Sequence, residues 1–482
     1  MESVSINRIS TLNFTDDQRK AYNGLIEFID SAYNPNDYKR ALIGAAGTGK
    51  TYLVKALISN SKVSNSMIGL ATPTHKACRI LAQSINISGI KVNTLASDMG
   101  LKPNFNSDAF DVNNPPFDPF GVVKVGDYKV YILDEASMVP RGMCMLLEKI
   151  ARENKCKILY IGDSSQLPPP KESYAAAFKG IKTFNLKQIV RQDDNNPVKY
   201  LLDLLRFDIE NKTLNFLQYI SRNKFAVNNK DEGYQVCNTA EFNQVVSTTF
   251  TNEELTTNVD FCKLVAYTNL CVSGWNKAIR NYIITDADKS VITKHDLLIS
   301  YITIVNKFNE TVLRDSDEYI IYDIVNYTHP QYELKGFLVR FTAIHGGKTT
   351  PPIFILDHKD SFSVHRFVQI TETMIRDAKV ASKHTRGARW REYYEFRDSC
   401  LILADILAPD GKTIKYKRTL DYGFALTAHK SQGSTFNNVL VDVDDIVFDK
   451  NGSIYNDIEQ INRRLYVACS RCKNRLTLKW NK

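Results

Sequence analysis

The sequence predicts an α/β protein built on two parallel sheets, with a smaller β-rich unit inserted in the second. Three observations predict it. Short apolar, β-rich runs alternate with helical segments from Arg40 to Ile161, and such alternation places helices on the faces of a parallel sheet. The same texture returns over residues 186–285 and again after Tyr422. Between them, from about Ile299, the runs ISYITIV, EYIIYDIVNY, GFLVRFTAIH and PIFILDH follow one another with polar breaks and no long helix, the pattern of a small antiparallel barrel.

Composition bounds the reading. At roughly 150 residues per domain, 482 residues make about three domains. With 43% hydrophobic and 24% charged residues, disordered and fibrous classes are excluded. Apolar runs such as Leu401 to Leu407, broken by Asp405, fall short of the ~20 residues a spanning helix needs. The first twelve residues lack the order of a signal peptide, so a cytoplasmic protein is expected. Nine cysteines, odd in number and unclustered, indicate neither a disulfide framework nor a zinc site. A formal charge of +9 allows a polyanionic partner without demanding one.

The first strand, Ala41 to Ile43, and the helix from about Tyr52 to Ser59 flank GAAGTGKT, Gly44 to Thr51, a match to GxxxxGK[ST] in the strand–loop–helix context it requires. Backbone N–H groups of Ala46, Gly47, Thr48 and Gly49 would wrap the β-phosphate of ATP, Lys50 would reach the β and γ oxygens, and the Thr51 hydroxyl would ligate Mg²⁺. A strand at Met67 to Ala71 leads to a helix from about Lys76 to Ser84, opened by Pro73, Thr74, His75 and Lys76. Its N–H groups suit a backbone phosphate. Lys102 to Lys124, with NNPPFDPF inside, reads as an excursion from the core. Strand Lys129 to Leu133 ends in Asp134, suited to Mg²⁺, and Glu135, suited to orienting and deprotonating water. Strand Lys157 to Ile161 precedes GDSSQLPP, whose Gln166 amide can bond the γ-phosphate or its water.

In the second α/β stretch, Lys263 to Tyr267 reads as a strand and Val272 to Ile284 as a helix. A basic helical segment, Val380 to Arg397, follows the β-rich unit, then a hairpin about Pro409, Asp410 and Gly411.

Taken in order, ATPTHKA (Ala71 to Ala77), DEASM (Asp134 to Met138), GDSSQLPP, IVRQ (Ile189 to Gln192), LTAHKSQGST (Leu426 to Thr435) and YVACSR (Tyr466 to Arg471) resemble the helicase motifs of superfamily 1. Their spacing is most similar to the RecD/Pif-type 5′ to 3′ branch, especially the phage Dda helicases. The resemblance implies two RecA-like P-loop NTPase domains. The first is residues 1–185, with a strand-separating pin inserted at about 102–127. The second is 186–294 and 421–482, carrying an insertion at 295–420: an SH3-like barrel to about 358, then a tower- or hook-like extension.

The resemblance also implies roles. ATP would sit between the two domains, with Arg191 and Arg471 supplying cationic side chains to its γ-phosphate; an arginine finger is worth ~10³ to 10⁵ in rate. Gln18 would read the adenine edge, although TDDQ is also a capping pattern after Thr15 and the two roles can coexist. Pro73 to Lys76 on one domain and His429, Lys430, Gln432 and Gly433 on the other would grip a single strand of DNA. Thr94 would add a phosphate ligand, although Ala96 departs from the relatives' Thr-x-His-Ser. Phe117 or Phe120 would stack on the base pair at a fork, or else anchor the excursion to the domain. Trp390, among Arg386, Arg389 and Arg391, would line a single-strand channel or pack on the barrel.

The expected activity is an ATP- and Mg²⁺-dependent DNA helicase in phage-type replication, recombination or repair, monomeric, acting on single-stranded and forked DNA, with a single-strand-binding protein among its possible partners. Two rivals stand beside it: a translocase that strips bound proteins with little unwinding, and a nucleotide-gated binding module. A full hydrolytic set argues against the second.

Overall fold

The computed structural model describes residues 9–482 apart from 104–116, 119–120, 171, 189–195, 286, 288, 306–310, 345–346, 348 and 383. Its first lobe holds a six-stranded, all-parallel sheet in the order Val92–Thr94, Ile68–Thr72, Val130–Leu133, Lys157–Gly162, Lys39–Gly44, Lys182–Leu186. Val130–Leu133 and Lys157–Gly162 are buried at every position, as strands covered on both faces must be. One face packs helices Asp16–Asp30, Lys50–Asn60 and His75–Ile85 through Leu25, Leu53, Leu57 and Leu81; the other packs helix Arg141–Glu153 through Leu147 and Ala151.

The second lobe repeats the plan. Its sheet runs Ala425–Thr427, Cys262–Ala266, Phe436–Asp442, Cys472–Lys479, Gly233–Cys237, Phe225–Val227, parallel except for the last pair. Helices Val198–Asn211 and Ile458–Cys469 cover one face through Leu201, Leu205, Ile461 and Leu465, and helices Thr239–Phe250 and Asn269–Ile283 the other through Phe242, Val246, Val272 and Ile279.

The insertion differs from the expected compact barrel followed by an extension. Its sheet runs Cys400–Leu401, Ile353–Leu356, Lys335–Ala343, Glu318–Thr328, Leu297–Ser300, Leu420–Tyr422, so it draws strands from far beyond residue 358. The two edges meet where the N–H groups of Thr419 and Leu420 donate to the Ile402 carbonyl, at 2.9 and 3.1 Å. Pairing of this kind removes exposed edge groups.

Among the described residues the β-rich runs to residue 358 hold no long helix, as expected, but the residues between them and the basic segment, which the sequence pattern leaves unassigned, do form one. Ser361–Val380 is a twenty-residue helix, capped by Asp360, whose carboxylate accepts from the Ser363 N–H at 3.0 Å. It packs against helix Arg386–Ser399 through Phe367 and Phe396. The expected hairpin is present as Ile406–Leu407 against Ile414–Tyr416. Among the described residues no helix is long and apolar enough to cross a membrane.

Candidate nucleotide and nucleic-acid site

The loop after strand Lys39–Gly44 takes its shape from two glycines in the left-handed region, Gly47 and Gly49, each at φ 82°. Gly49 caps helix Lys50–Asn60, directing that helix's free N–H groups at the loop. Thr48 is fully buried and its hydroxyl donates to the Ala45 carbonyl at 2.9 Å. Lys50 Nζ donates to the carbonyls of Gly44 and Ala45 at 2.7 and 2.9 Å, which holds the ammonium at the mouth of the loop. Ala46 is exposed and Thr51 half-buried at its rim.

Gln18 takes the capping role, one of the two expected of it. Both ends of its amide are engaged: Oε1 accepts from the Thr15 N–H at 3.1 Å in a capping box, and Nε2 donates to the Thr48 carbonyl at 2.9 Å. At 4% exposure it braces the loop from behind. A Cβ on Gly49 would lie 2.5 Å from that Nε2, so the brace and the glycine require each other.

Asp134 and Glu135 stand at the end of Val130–Leu133, and the Glu135 N–H donates to Asp134 Oδ1 at 2.8 Å. Burial, and then the neighbouring Glu135 carboxylate, push the Asp134 carboxyl up, while Lys50 opposes the shift. Glu135 occupies the left-handed region at φ 52°, a conformation costing a side-chain-bearing residue ~1–3 kcal/mol and concentrated at functional sites. Two adjacent carboxyls are hard oxygen donors whose mutual repulsion a divalent cation relieves, and the Thr51 hydroxyl at the rim of the loop is a further oxygen donor, so the chemistry of Thr51 and Asp134 fits Mg²⁺. Among the described residues no group of three or more His, Cys, Asp or Glu could hold a metal, so phosphate oxygens would have to complete this one.

The second lobe meets these groups across the cleft. Gln166 is buried, and its Oε1 accepts from Gln432 Nε2 at 3.4 Å, a nitrogen that also donates to the Leu167 carbonyl at 3.2 Å. Tyr466 donates to Asp163 at 2.7 Å, and Arg463 donates to the carbonyls of Ser164 and Gln166. Arg471 is buried beside Glu135. Its guanidinium donates to the carbonyls of Val467 and Ser434 and to the Ser470 hydroxyl, and burial pushes its pKa down. Arg191 lies outside the described residues.

Arg463 and Tyr466 were missed by sequence reasoning. They stand eight and five residues before Arg471 and three apart on helix Ile458–Cys469, so the 3.6-residue period sets them on one face, the face that meets GDSSQLPP.

The expected strand-gripping residues divide. Pro73, Thr74 and His75 are half-buried at the start of helix His75–Ile85, where Thr74 Oγ1 accepts from the Ala77 N–H at 3.3 Å; burial pushes the His75 pKa down. His429 is half-buried with its pKa likewise lowered, and Gly433, at φ 72°, approaches Ala77 of the other lobe.

Lys76, expected as a phosphate ligand, is held by an acidic partner in this structure. It is buried, with Nζ 3.4 Å from Glu318 of the insertion and over the Phe436 ring. Lys430 is likewise paired, with Asp315 and Ser316. Gln432 faces the lobe interface instead of solvent. Thr94 is corrected to a helix cap, buried and accepting from the Ser97 N–H. Trp390 is corrected to core: 2% exposed, it packs with Ala378 and edge-on to Tyr393.

Of the pin, Lys102–Pro103 pairs antiparallel with Phe117–Asp118, and the Phe117 side chain is 52% exposed. Phe120 lies outside the described residues.

The chain is similar to known proteins in sequence and in fold. A family profile described as an AAA domain matches residues 17–223. An uncharacterised protein of Acanthamoeba polyphaga mimivirus, R530, is 25% identical over 521 aligned residues, covering 96% of this chain and 99% of that protein. The ATP-dependent RecD2 DNA helicase of Deinococcus radiodurans is 29% identical over 160 residues, 33% of this chain, which spans only a fifth of RecD2's length. The crystal structure of the Pif1 helicase from Candida albicans superposes with a TM-score of 0.50 at 16% identity, over 98% of this chain and 95% of that one.

Proposed function

We propose that the chain is an ATP-dependent DNA helicase of superfamily 1B, of the RecD/Pif type, that moves 5′ to 3′ along single-stranded DNA and opens duplex at forks. The observation that carries the reading is the Gln166–Gln432 amide contact, because it joins a residue beside the hydrolytic carboxylates to the second lobe's HKSQG stretch. Phosphate chemistry on one lobe is thereby tied to a strand-gripping segment on the other.

In this mechanism the P-loop N–H groups and Lys50 bind the β and γ phosphates of ATP, and Glu135 orients the attacking water and takes its proton. Gln166 bonds the γ-phosphate or that water. Arg471, already desolvated, neutralises charge that grows in the transition state, with Arg191 expected beside it. Mg²⁺, held by Thr51 and Asp134, would supply charge neutralisation on the phosphates.

As the cleft closes on ATP, the grip at Pro73–His75 approaches the grip at His429–Gly433, and hydrolysis lets them separate, so each cycle advances the strand. The order and spacing of the motifs, which resemble the Dda branch, support the 5′ to 3′ direction. The exposed Phe117 at the base of the excursion supports a wedge at the fork. The edge-to-edge pairing of the insertion's sheet supports a closed, barrel-like insertion whose last strands come from beyond residue 358.

The test is strand separation on duplexes bearing a 5′ or a 3′ tail, with ATP and Mg²⁺. Opening of the 5′-tailed duplex alone, abolished by Lys50→Ala, is the expected result. Opening only from the 3′ tail would reverse the direction, and DNA-stimulated hydrolysis without opening on either tail would leave a translocase.

A further inference from the structure

Four cations converge on one acidic turn of the insertion. The turn, Asp315 to Glu318, is pinned to strand Leu297–Ser300: the Ser316 N–H donates to the Ser300 carbonyl at 2.8 Å and the Ser300 N–H to the Asp317 carbonyl at 3.1 Å. Ser316 sits at φ 65°, so the turn holds a conformation that L residues rarely adopt.

From the second lobe, Lys263 Nζ lies 2.6 Å from Glu318 Oε1 and donates to the Gly423 carbonyl, while Lys430 Nζ reaches Asp315 Oδ1 and Ser316 Oγ, each at 3.3 Å. From the first lobe, helix His75–Ile85 brings Lys76 Nζ to 3.4 Å from Glu318 Oε2, and Arg79 NH1 to 3.1 and 3.3 Å from the two Asp317 oxygens. His75, on the same helical turn, feels the charges of Arg314, Asp317 and Asp315.

The two halves of this cluster are unequal. Lys263 and Lys430 belong to the lobe from which the insertion springs, and the Lys263–Glu318 pair is dry. Lys76 and Arg79 cross to the other lobe, through a longer contact and a pair whose arginine keeps partial access to solvent. The crossing half is therefore the one that can break. It also lies at the helix start where a strand phosphate is expected to bind. A carboxylate on a lysine and an arginine offers those cations what a phosphate diester offers: oxygen acceptors and negative charge.

We propose that Asp317 and Glu318 form an autoinhibitory latch, in which the insertion occupies first-lobe cations that single-stranded DNA must claim, so that DNA binding and latch closure are mutually exclusive. The inference rests on the helicase reading. Part of any stimulation of ATP hydrolysis by DNA then comes from freeing helix His75–Ile85, and with it the first lobe, from the insertion.

The test uses the full chain with Arg79→Gln, Asp317→Asn and the charge exchange Arg79→Asp with Asp317→Arg. ATP hydrolysis is measured with and without oligo-dT, oligo-dT affinity by fluorescence anisotropy, and folding by thermal melting. With a coupling of ordinary allosteric size, DNA-free hydrolysis rises about five-fold or more in each single variant, and the stimulation by DNA falls by the same factor. Asp317→Asn also binds oligo-dT more tightly, and the exchanged pair returns the DNA-free rate toward that of the unaltered protein. A merely structural pair would lower melting temperature and activity together, and that result overturns the latch, as does an unchanged DNA-free rate in both folded single variants. If oligo-dT fails to stimulate the unaltered protein, the helicase reading fails and takes the latch with it; stimulation in the unaltered protein with unresponsive variants sinks the latch alone.

Discussion

Glu135 carries the clearest mark of function at the scale of a single residue. Its left-handed backbone is a cost of the kind concentrated at functional sites, and its carboxylate adjoins Asp134 and acts electrostatically on Arg471. Glu135→Gln keeps the shape and removes the base, so ATP hydrolysis is expected to fall about 10²- to 10⁴-fold while binding of a fluorescent ATP analogue persists; undiminished hydrolysis would assign the base elsewhere. Gly49 makes a second prediction. Alanine there meets Gln18 Nε2 at 2.5 Å in a backbone region hostile to side chains, and thermal unfolding should show a loss of about 1–2 kcal/mol. The P-loop and the Asp134–Glu135 pair were legible because their chemistry depends on contiguous residues. Gln18 was half legible: the capping box is written in TDDQ, but the Thr48 carbonyl that takes its other end lies thirty residues away.

Secondary-structure elements show the same division between local and distant causes. Strands such as Lys157–Gly162 were readable as unbroken apolar runs, since both faces are buried. Helix Ser361–Val380 was not, because its apolar stripe is thin and interrupted by His365, Arg366 and Arg376; its Asp360 cap is the signal that could have found it. Replacing Asp360 by alanine should destabilise the insertion by about 1 kcal/mol, seen as earlier loss of amide-exchange protection across residues 361–380 with the parallel sheets unaffected. Uniform loss over the whole chain would mean that the insertion does not unfold as a separate unit. Lys76, Trp390 and Gln432 look like nucleic-acid ligands in sequence because cationic, aromatic and amide groups suit that role. Only tertiary packing reveals Glu318, Tyr393 and Gln166 as the groups they meet.

At the scale of the whole molecule, one carboxylate joins three parts. Lys263 and Lys76 hold the Glu318 carboxyl down to about 2 against the effect of burial, from an ordinary 4.5. Because the folded value is the lower one, the stabilisation is complete above about 4.5 and disappears as pH falls toward 2. Glu318→Gln leaves two lysines uncompensated, which is expected to cost about 3–5 kcal/mol at neutral pH. In denaturant titrations the gap between variant and unaltered protein should close as the pH drops from 4.5; a gap independent of pH would mean that the charge is not what matters. The chain path through this region has a further consequence. The insertion leaves the second lobe at Leu297–Ser300 and returns at Leu420–Tyr422, and those strands are antiparallel neighbours, with Leu298 opposite Tyr422 and Ser300 opposite Leu420. Departure and return share one doorway, so the insertion is a cassette: it can be enlarged, shortened or exchanged between relatives without rerouting a strand of the motor that carries it.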